Sequence, residues 1–171
     1  LIETGTQNGD GIERAKSLGF NKILSIEVSK ILCDEVRQRF WNDNNITIIC
    51  GDSTVILWPT IKSIKERMTF ILDAHGPCPS GDVQIDYESC PLTKELQIIM
   101  NHSHKDHTII IDDVRLFESS FDTTIEEVKA LLFKINPNYQ FCFAEGLAGD
   151  DIILINDILI AEVIDNGKIK E

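Results

Sequence analysis

A chain of 171 residues is long enough to bury one full hydrophobic core. Its 16 basic and 28 acidic side chains leave a net charge of −12, the wrong sign for a phosphate backbone, so nucleic acid is not an expected partner. No apolar run approaches the roughly eighteen residues of a membrane span, and no membrane partner is expected either.

In chain order, strand-like and helix-like segments alternate. "LIETG" at 1–5 reads as a strand, and a helical stretch follows at 11–18. "NKILSIEV" is a buried strand, and 29–41 fits a helix, with Ile31, Leu32, Val36 and Phe40 near helical spacing. "ITIICGD" is the third strand, and 54–67 is expected to be helical despite Pro59. "MTFILDAH" is the fourth strand, followed by a long loop over 76–90 rich in Gly, Pro and Ser. A helix starting at Pro91 precedes the fifth strand, "HTIIIDD". The next helix covers 123–134, with a Thr cap and Glu126 near the capping-box position. "YQFCFAEG" and "DIILINDILIAEV" close the chain as a hairpin.

This alternation predicts an α/β fold: a Rossmann-like, doubly wound sheet, mostly parallel, with an antiparallel strand from the C-terminal hairpin. Residues 1–171 are expected to form a single domain, and because Leu1 already lies in a strand, a further N-terminal segment is expected upstream. The five cysteines form no CxxC pair, which favours a reducing, cytoplasmic setting. Cys78 and Cys90 flank one loop and could pair.

In parallel sheets ligands bind at the carboxyl ends of the strands. Here those ends carry Glu3, Glu27, Asp52, Asp73 with His75, and Asp112 with Asp113. Any one of these acids could be a turn or cap residue: Asp112 could cap the loop after strand five, and Asp113 could pair with Arg115. Their recurrence along one edge points to a binding site. The glycines Gly5, Gly9 and Gly11 are spaced G-x-x-x-G-x-G, which fails the dinucleotide fingerprint, and an acid two residues before Gly5 would repel a pyrophosphate. A ligand carrying positive charge suits this turn better.

The pattern Glu3, Gly5, Gly9, Gly11 resembles the first motif of class I S-adenosylmethionine-dependent methyltransferases. The resemblance implies that this loop, with Thr6, holds the methionine part of the cofactor, its acid meeting the amino group. Glu27 would bind the ribose hydroxyls and Asp52 would lie near the adenine amino group. Asp73, Asp112 and Asp113 resemble the metal ligands of metal-dependent small-molecule O-methyltransferases of the macrocin and catechol types and of the cephalosporin hydroxylases. A divalent ion there, Mg²⁺ by preference for oxygen ligands, would relieve the repulsion among them. His75, two residues beyond Asp73 and on the same side of an extended strand, takes the place of the general base, kept neutral by the nearby cation. With Asp73 it makes the expected catalytic pair.

The function implied is methyl transfer to a hydroxyl of a small molecule or sugar, with the 76–90 loop (Asp82, Asp86, Tyr87, Glu88) covering the acceptor. A homodimer is left open. The alternatives are a non-catalytic cofactor-binding or regulatory module and a metal-independent N-methyltransferase. His102, His104 and His107 look like a zinc site, but they fall at the opposite edge of the sheet and are expected to be a surface cluster or incidental metal site rather than a catalytic one.

Overall fold

A computed structural model of the chain describes residues 1–76, 80–83, 90–148 and 152–164. Its elements are β1 (Ile2–Thr4), α1 (Asp10–Ser17), β2 (Ile23–Glu27), α2 (Lys30–Arg39), β3 (Ile46–Cys50), α3 (Ser53–Ile61), β4 (Thr69–Leu72), α4 (Leu92–Met100), β5 (Thr108–Ile111), α5 (Phe117–Ser120), α6 (Ile125–Ile135), β6 (Gln140–Ala148) and β7 (Ile152–Glu162). The strands form one seven-stranded sheet in the order β3-β2-β1-β4-β5-β7-β6. The pairs from β3 through β5 are parallel, and β7 runs antiparallel to both β5 and β6. The expected fold class is therefore the one observed. The Cys78–Cys90 pairing and the loop residues Asp86, Tyr87 and Glu88 lie outside the described residues.

Local signals set the helix starts. The Ser29 hydroxyl accepts from Leu32 N at 3.1 Å to cap α2, and Asp52 Oδ1 accepts from Thr54 N at 2.8 Å to cap α3. In α6 the capping box closes between Thr124 and Glu127, one residue beyond the expected Glu126. Helix α3 ends at Ile61, shorter than the expected 54–67, soon after Pro59 removes a backbone donor from its last turn.

Two apolar clusters sandwich the sheet. Ile12, Ala15, Cys33 and Val36 of α1 and α2 pack with Ile23 and Ile48, while Leu57, Ile61, Leu96, Ile99, Val128 and Leu132 of α3, α4 and α6 pack with Ile2, Ile26, Phe70 and Leu72. Along β2, Ile23 belongs to the first cluster and Ile26 to the second; along β3, Ile48 belongs to the first and Ile49 to the second. Strand alternation therefore puts the two clusters on opposite faces.

The same alternation governs Glu3. It shares a face with Ser25, its register partner on β2, and its carboxylate Oε2 accepts from the Ser25 hydroxyl at 2.5 Å beneath the start of α1. Thr6 completes the group, its hydroxyl 2.6 Å from that of Ser25. A Cβ built on Gly11 would lie 2.1 Å from Glu3 Oε1, so the glycine leaves room for this acid. Burial pushes the Glu3 carboxyl up to about 7, with the Ser25 bond opposing.

The histidine cluster differs from expectation. His102 and His107 are buried, with only His104 partly open. Met68 N donates to His107 Nδ1 at 3.0 Å, which puts the His107 proton on Nε2. That proton goes to His102 Nδ1 at 2.9 Å, and His102 Nε2 in turn donates to Ile64 O at 2.9 Å. Four ring nitrogens are thus committed to joining the α3–β4 connection to the entry of β5, and the cluster is a structural staple rather than a metal site.

Burial and the neighbouring His102 push the His107 pKa down to about 4, so folding favours the neutral ring. That stability is full above about 6.5 and is lost as pH falls below it, amounting to about 2 kcal/mol at pH 5. Urea unfolding at pH 7.5 and pH 5 should show this loss in wild type relative to His107→Gln, whose amide still accepts from Met68. Equal pH responses would remove His107 as the cause. Glu3 has the opposite sign: its raised pKa costs stability as pH rises from 4.5 towards 7. Glu3→Gln should therefore gain about 2–3 kcal/mol on wild type between pH 4.5 and pH 8 by the same measurement. A constant difference would mean that Glu3 ionises freely.

Candidate active site

At the carboxyl ends of the parallel strands lies a cavity of about 590 Å³. Of the residues expected at a cofactor site, Gly5, Glu27 and Asp52 line it, joined by Gln7, Ser53 and Thr54. Glu3, Thr6, Gly9 and Gly11 do not line it: Glu3 and Thr6 face the α1–α2 side of the sheet, and Gly9 abuts Phe40 and Val36 of α2. Asp73, His75, Asp112 and Asp113 do line it, and so do Lys94 of α4 and Leu147 of the terminal hairpin.

Gly5 has φ +83, and a Cβ there would lie 2.3 Å from the carbonyl oxygen of Asp73. Only glycine lets the chain leave β1 this close to the end of β4. Glu27 ties the neighbouring turns together. Its Oε1 accepts from Ser29 N at 2.9 Å and its Oε2 from Gln7 N at 3.0 Å. Each oxygen keeps a second lone pair for a ligand hydroxyl. The described start of the long loop docks here as well, with Asp82 accepting from the Ser29 hydroxyl at 2.6 Å and from Ile31 N at 3.2 Å.

At the other end of the cavity His75 stands between two carboxylates. Its Nε2 is 2.7 Å from Asp113 Oδ2 and 3.4 Å from Asp73 Oδ1, and its ring packs on Phe121. Burial disfavours the imidazolium, but Asp113, Asp73 and Asp112 outweigh it and raise the His75 pKa above 6.5. The two carboxylates are driven apart. Burial pushes Asp73 up to about 7, with His75 opposing and Asp112, Asp113 and Glu3 adding. Burial also works against ionised Asp113, but His75 and Arg115 prevail and hold it below the usual range.

The expected metal ligands do not converge as one set. Asp113 adopts a left-handed backbone (φ 57), and its N–H donates to Asp112 Oδ1 at 2.8 Å. Among the described residues, the groups whose donor atoms lie within 4.8 Å of one another are Asp73, His75 and Asp113, and separately Asp112, Asp113 and Asp157. Asp73 and Asp112 fall in different groups. Arg115 Nη1 is hydrogen-bonded to both Asp113 and Asp157, so Asp113 already has a partner on each oxygen.

Three residues escaped the sequence reading. Asp157 is concealed in the apolar strand "IILINDILIAE", where only the strand register reveals it. Lys94 is, apart from His75, the one cation among the described lining residues, and no motif marks it. Glu95 is wholly buried behind the site, with the Ser53 and Thr4 hydroxyls beside it, and burial pushes its carboxyl up to about 7. Its signal was present: it interrupts the helical stripe Leu92, Leu96, Ile99.

No family model matches the chain, and no curated protein matches its sequence. Solved structures do. SMU.1697c of Streptococcus mutans, assigned as a methyltransferase and solved in complex with SAH, is 15% identical, with a TM-score of 0.55 over 95% of this chain and 87% of that one. A Staphylococcus aureus protein assigned as a caffeoyl-CoA O-methyltransferase is 16% identical, with a TM-score of 0.55 over 94% of this chain and 74% of that one. The N-methyltransferase NodS of Bradyrhizobium japonicum is 13% identical, with a TM-score of 0.53 over 94% and 82%. Identities this low show a shared fold, and that fold is the Rossmann-like α/β sheet of the class I methyltransferases.

Proposed function

We propose that this chain is an S-adenosylmethionine-dependent methyltransferase acting on a hydroxyl of a small molecule or sugar. The observation that carries the reading is the single cavity with Gly5, Glu27 and Asp52 at one end and the His75–Asp113 pair at the other. The first three residues suit a nucleoside with an amino-acid tail. Glu27 has lone pairs for two ribose hydroxyls, Asp52 lies exposed at the lip where an adenine amino group would donate, and the loop at Gly5 to Gln7 presents backbone. S-adenosylmethionine, when bound, supplies a sulfonium methyl open to in-line displacement.

This chain's own contribution is alignment and proton removal. Asp113, held ionised, accepts the His75 Nε2 proton and fixes the ring's tautomer, which leaves Nδ1 as the atom that takes the acceptor's proton. Lys94 and Leu147 line the same cavity and supply contacts for the acceptor. A carboxylate-lined mouth on a chain of net charge −12 favours a small acceptor over nucleic acid. None of the described helices is long and apolar enough to cross a membrane, and a cytoplasmic location remains part of this proposal.

Divalent-metal assistance is the second reading, favoured by the two groups of three donors around Asp113. No step above is routed through an ion, because the predicted set Asp73, Asp112 and Asp113 does not close around one point.

Calorimetric titration with S-adenosylhomocysteine tests the cofactor half of the proposal. Glu27→Ala should weaken binding by about 2–3 kcal/mol, the value of hydrogen bonds to a charged acceptor. The Glu27→Gln protein, which retains one carbonyl acceptor, should fall between. No binding by wild type would sink the reading, and an unchanged affinity in Glu27→Ala would remove Glu27 from it.

The base is tested once screening of catechols, sugars and hydroxylated metabolites has found an acceptor. His75→Ala should then lose roughly a hundredfold to ten-thousandfold in turnover, with cofactor affinity intact. Wild-type turnover should rise with pH through a pKa above 6.5, because the raised His75 must lose its proton before it can accept one. A flat profile from pH 6 to 9, or full turnover by His75→Ala, would rule the histidine out.

A further inference from the structure

The fit between the acidic cluster and a metal fails at one residue. Asp113, Asp112 and Asp157 bring three carboxylates within 4.8 Å, an arrangement that demands positive charge. That charge is already present. Arg115 Nη1 bridges Asp113 Oδ1 and Asp157 Oδ2, and Arg115 N donates to Asp157 Oδ1 at 3.1 Å. Asp157 thus holds both the backbone and the guanidinium of one residue.

The surrounding backbone is shaped for this contact. Asp157 is 2% exposed, a burial that a carboxylate bears only with its partners in place. The β6–β7 register shifts between Ala144 and Gly146, and Asn156 takes φ 57. A Cβ on Gly146 would lie 2.8 Å from Asp157 Oδ2, so the shift and the glycine together make room for the acid. On the other side, the left-handed turn at Asp113 leads directly into the 3-10 turn Val114–Leu116, which carries Arg115 back over Asp113. Arg115 keeps 40% of its side chain in solvent, so it closes the group from outside.

We propose that Arg115 is a built-in replacement for the divalent cation: its guanidinium occupies the seat made by Asp113 and Asp157, and the wild-type chain takes no metal there. A divalent ion bound to Asp113 would stand beside a fixed cation and would have to displace a two-point contact whose planar donors suit carboxylates. In holding one oxygen of Asp113, Arg115 also leaves the other directed at His75 Nε2, so it acts as a positioning residue for the base. The seat rests on geometry alone; its consequence, methyl transfer without added metal, rests on the proposed function.

Mn²⁺ is the probe, with the free ion followed by electron paramagnetic resonance and the protein by thermal melting. Wild type should leave Mn²⁺ free and its melting temperature unmoved. Arg115→Gln should take up one Mn²⁺ per chain and gain several degrees from it, because the ion binds only the folded form. Adding Asp113→Asn should abolish both effects, and Arg115→Lys, which keeps the charge, should behave as wild type. Stoichiometric Mn²⁺ uptake by wild type that disappears in Asp113→Asn overturns the proposal, as does a folded Arg115→Gln that takes up none. If Arg115→Gln does not fold, the wild-type and Arg115→Lys samples still decide. S-adenosylhomocysteine affinity in the same samples reports separately on the cofactor reading, and its absence would leave the Mn²⁺ result standing.

Discussion

Gly5 passes the carbonyl of Asp73 at a distance that no side chain would permit, with a Cβ there 2.3 Å from the oxygen. That contact joins the ends of β1 and β4, the two neighbouring strands whose outgoing connections part. From β1 the chain turns to α1, which packs on one face of the sheet; from β4 it runs on to α4, which packs on the other. A crevice must open where connections diverge in this way. Glu27, Asp52, Asp73, His75 and Asp113 face one cavity because their strands end beside that divergence. A bulkier residue at Gly5 would force β1 from β4 and take the two ends of the site out of register.

Crowding acids at one sheet edge creates an electrostatic problem, and each acid resolves it differently. Glu3 and Glu95, turned into the protein on opposite faces, are pushed up to about 7 by burial. Glu27 draws backbone donors from two turns, and Asp52 spends one oxygen on a helix cap. Asp113 gathers two cationic partners, His75 and Arg115, and is held low. Asp73, across the same imidazole, is pushed up to about 7. Two carboxylates driven to opposite protonation behaviour around one histidine is the electrostatic pattern of an acid–base site.

Much of this was legible in the sequence, where it rested on period and punctuation. The alternation of apolar runs and helical stripes placed the strands, and the acids closing them marked the edge where the cavity opens. What the sequence concealed depends on direction. Glu3 and Glu27 both close parallel strands, yet Glu3 pairs in register with Ser25 and so faces α1, whereas Glu27 faces the cavity. Asp73, Asp112 and Asp113 read as one set of ligands, but Asp73 gathers with His75 and Asp113 while Asp112 gathers with Asp113 and Asp157. Asp157 depends on a register shift in a hairpin, a feature no local pattern announces. The histidines of "HSHKDH" looked exposed because their spacing is polar, and only the fold showed Met68 and Ile64 closing over them.

Under the proposed function, the chemistry of the acceptor would follow from which cation sits at Asp113. A metal ion can bind an acceptor oxygen directly and lower its pKa, which opens even reluctant hydroxyls to attack on a methyl group. A guanidinium committed to two carboxylates offers no open coordination position. In the proposed methyl transfer His75 would then remove the proton unaided, with a pKa raised above 6.5 by its acidic neighbours. A phenol-like hydroxyl, titrating near about 10 as tyrosine does, lies within a few units of such a base. An aliphatic alcohol resembles water, near about 16, and the mismatch would cost roughly 8 kcal/mol more at about 1.4 kcal/mol per unit. With Arg115 in the cation seat, the balance within the proposed acceptor class moves from sugars towards aromatic hydroxyls.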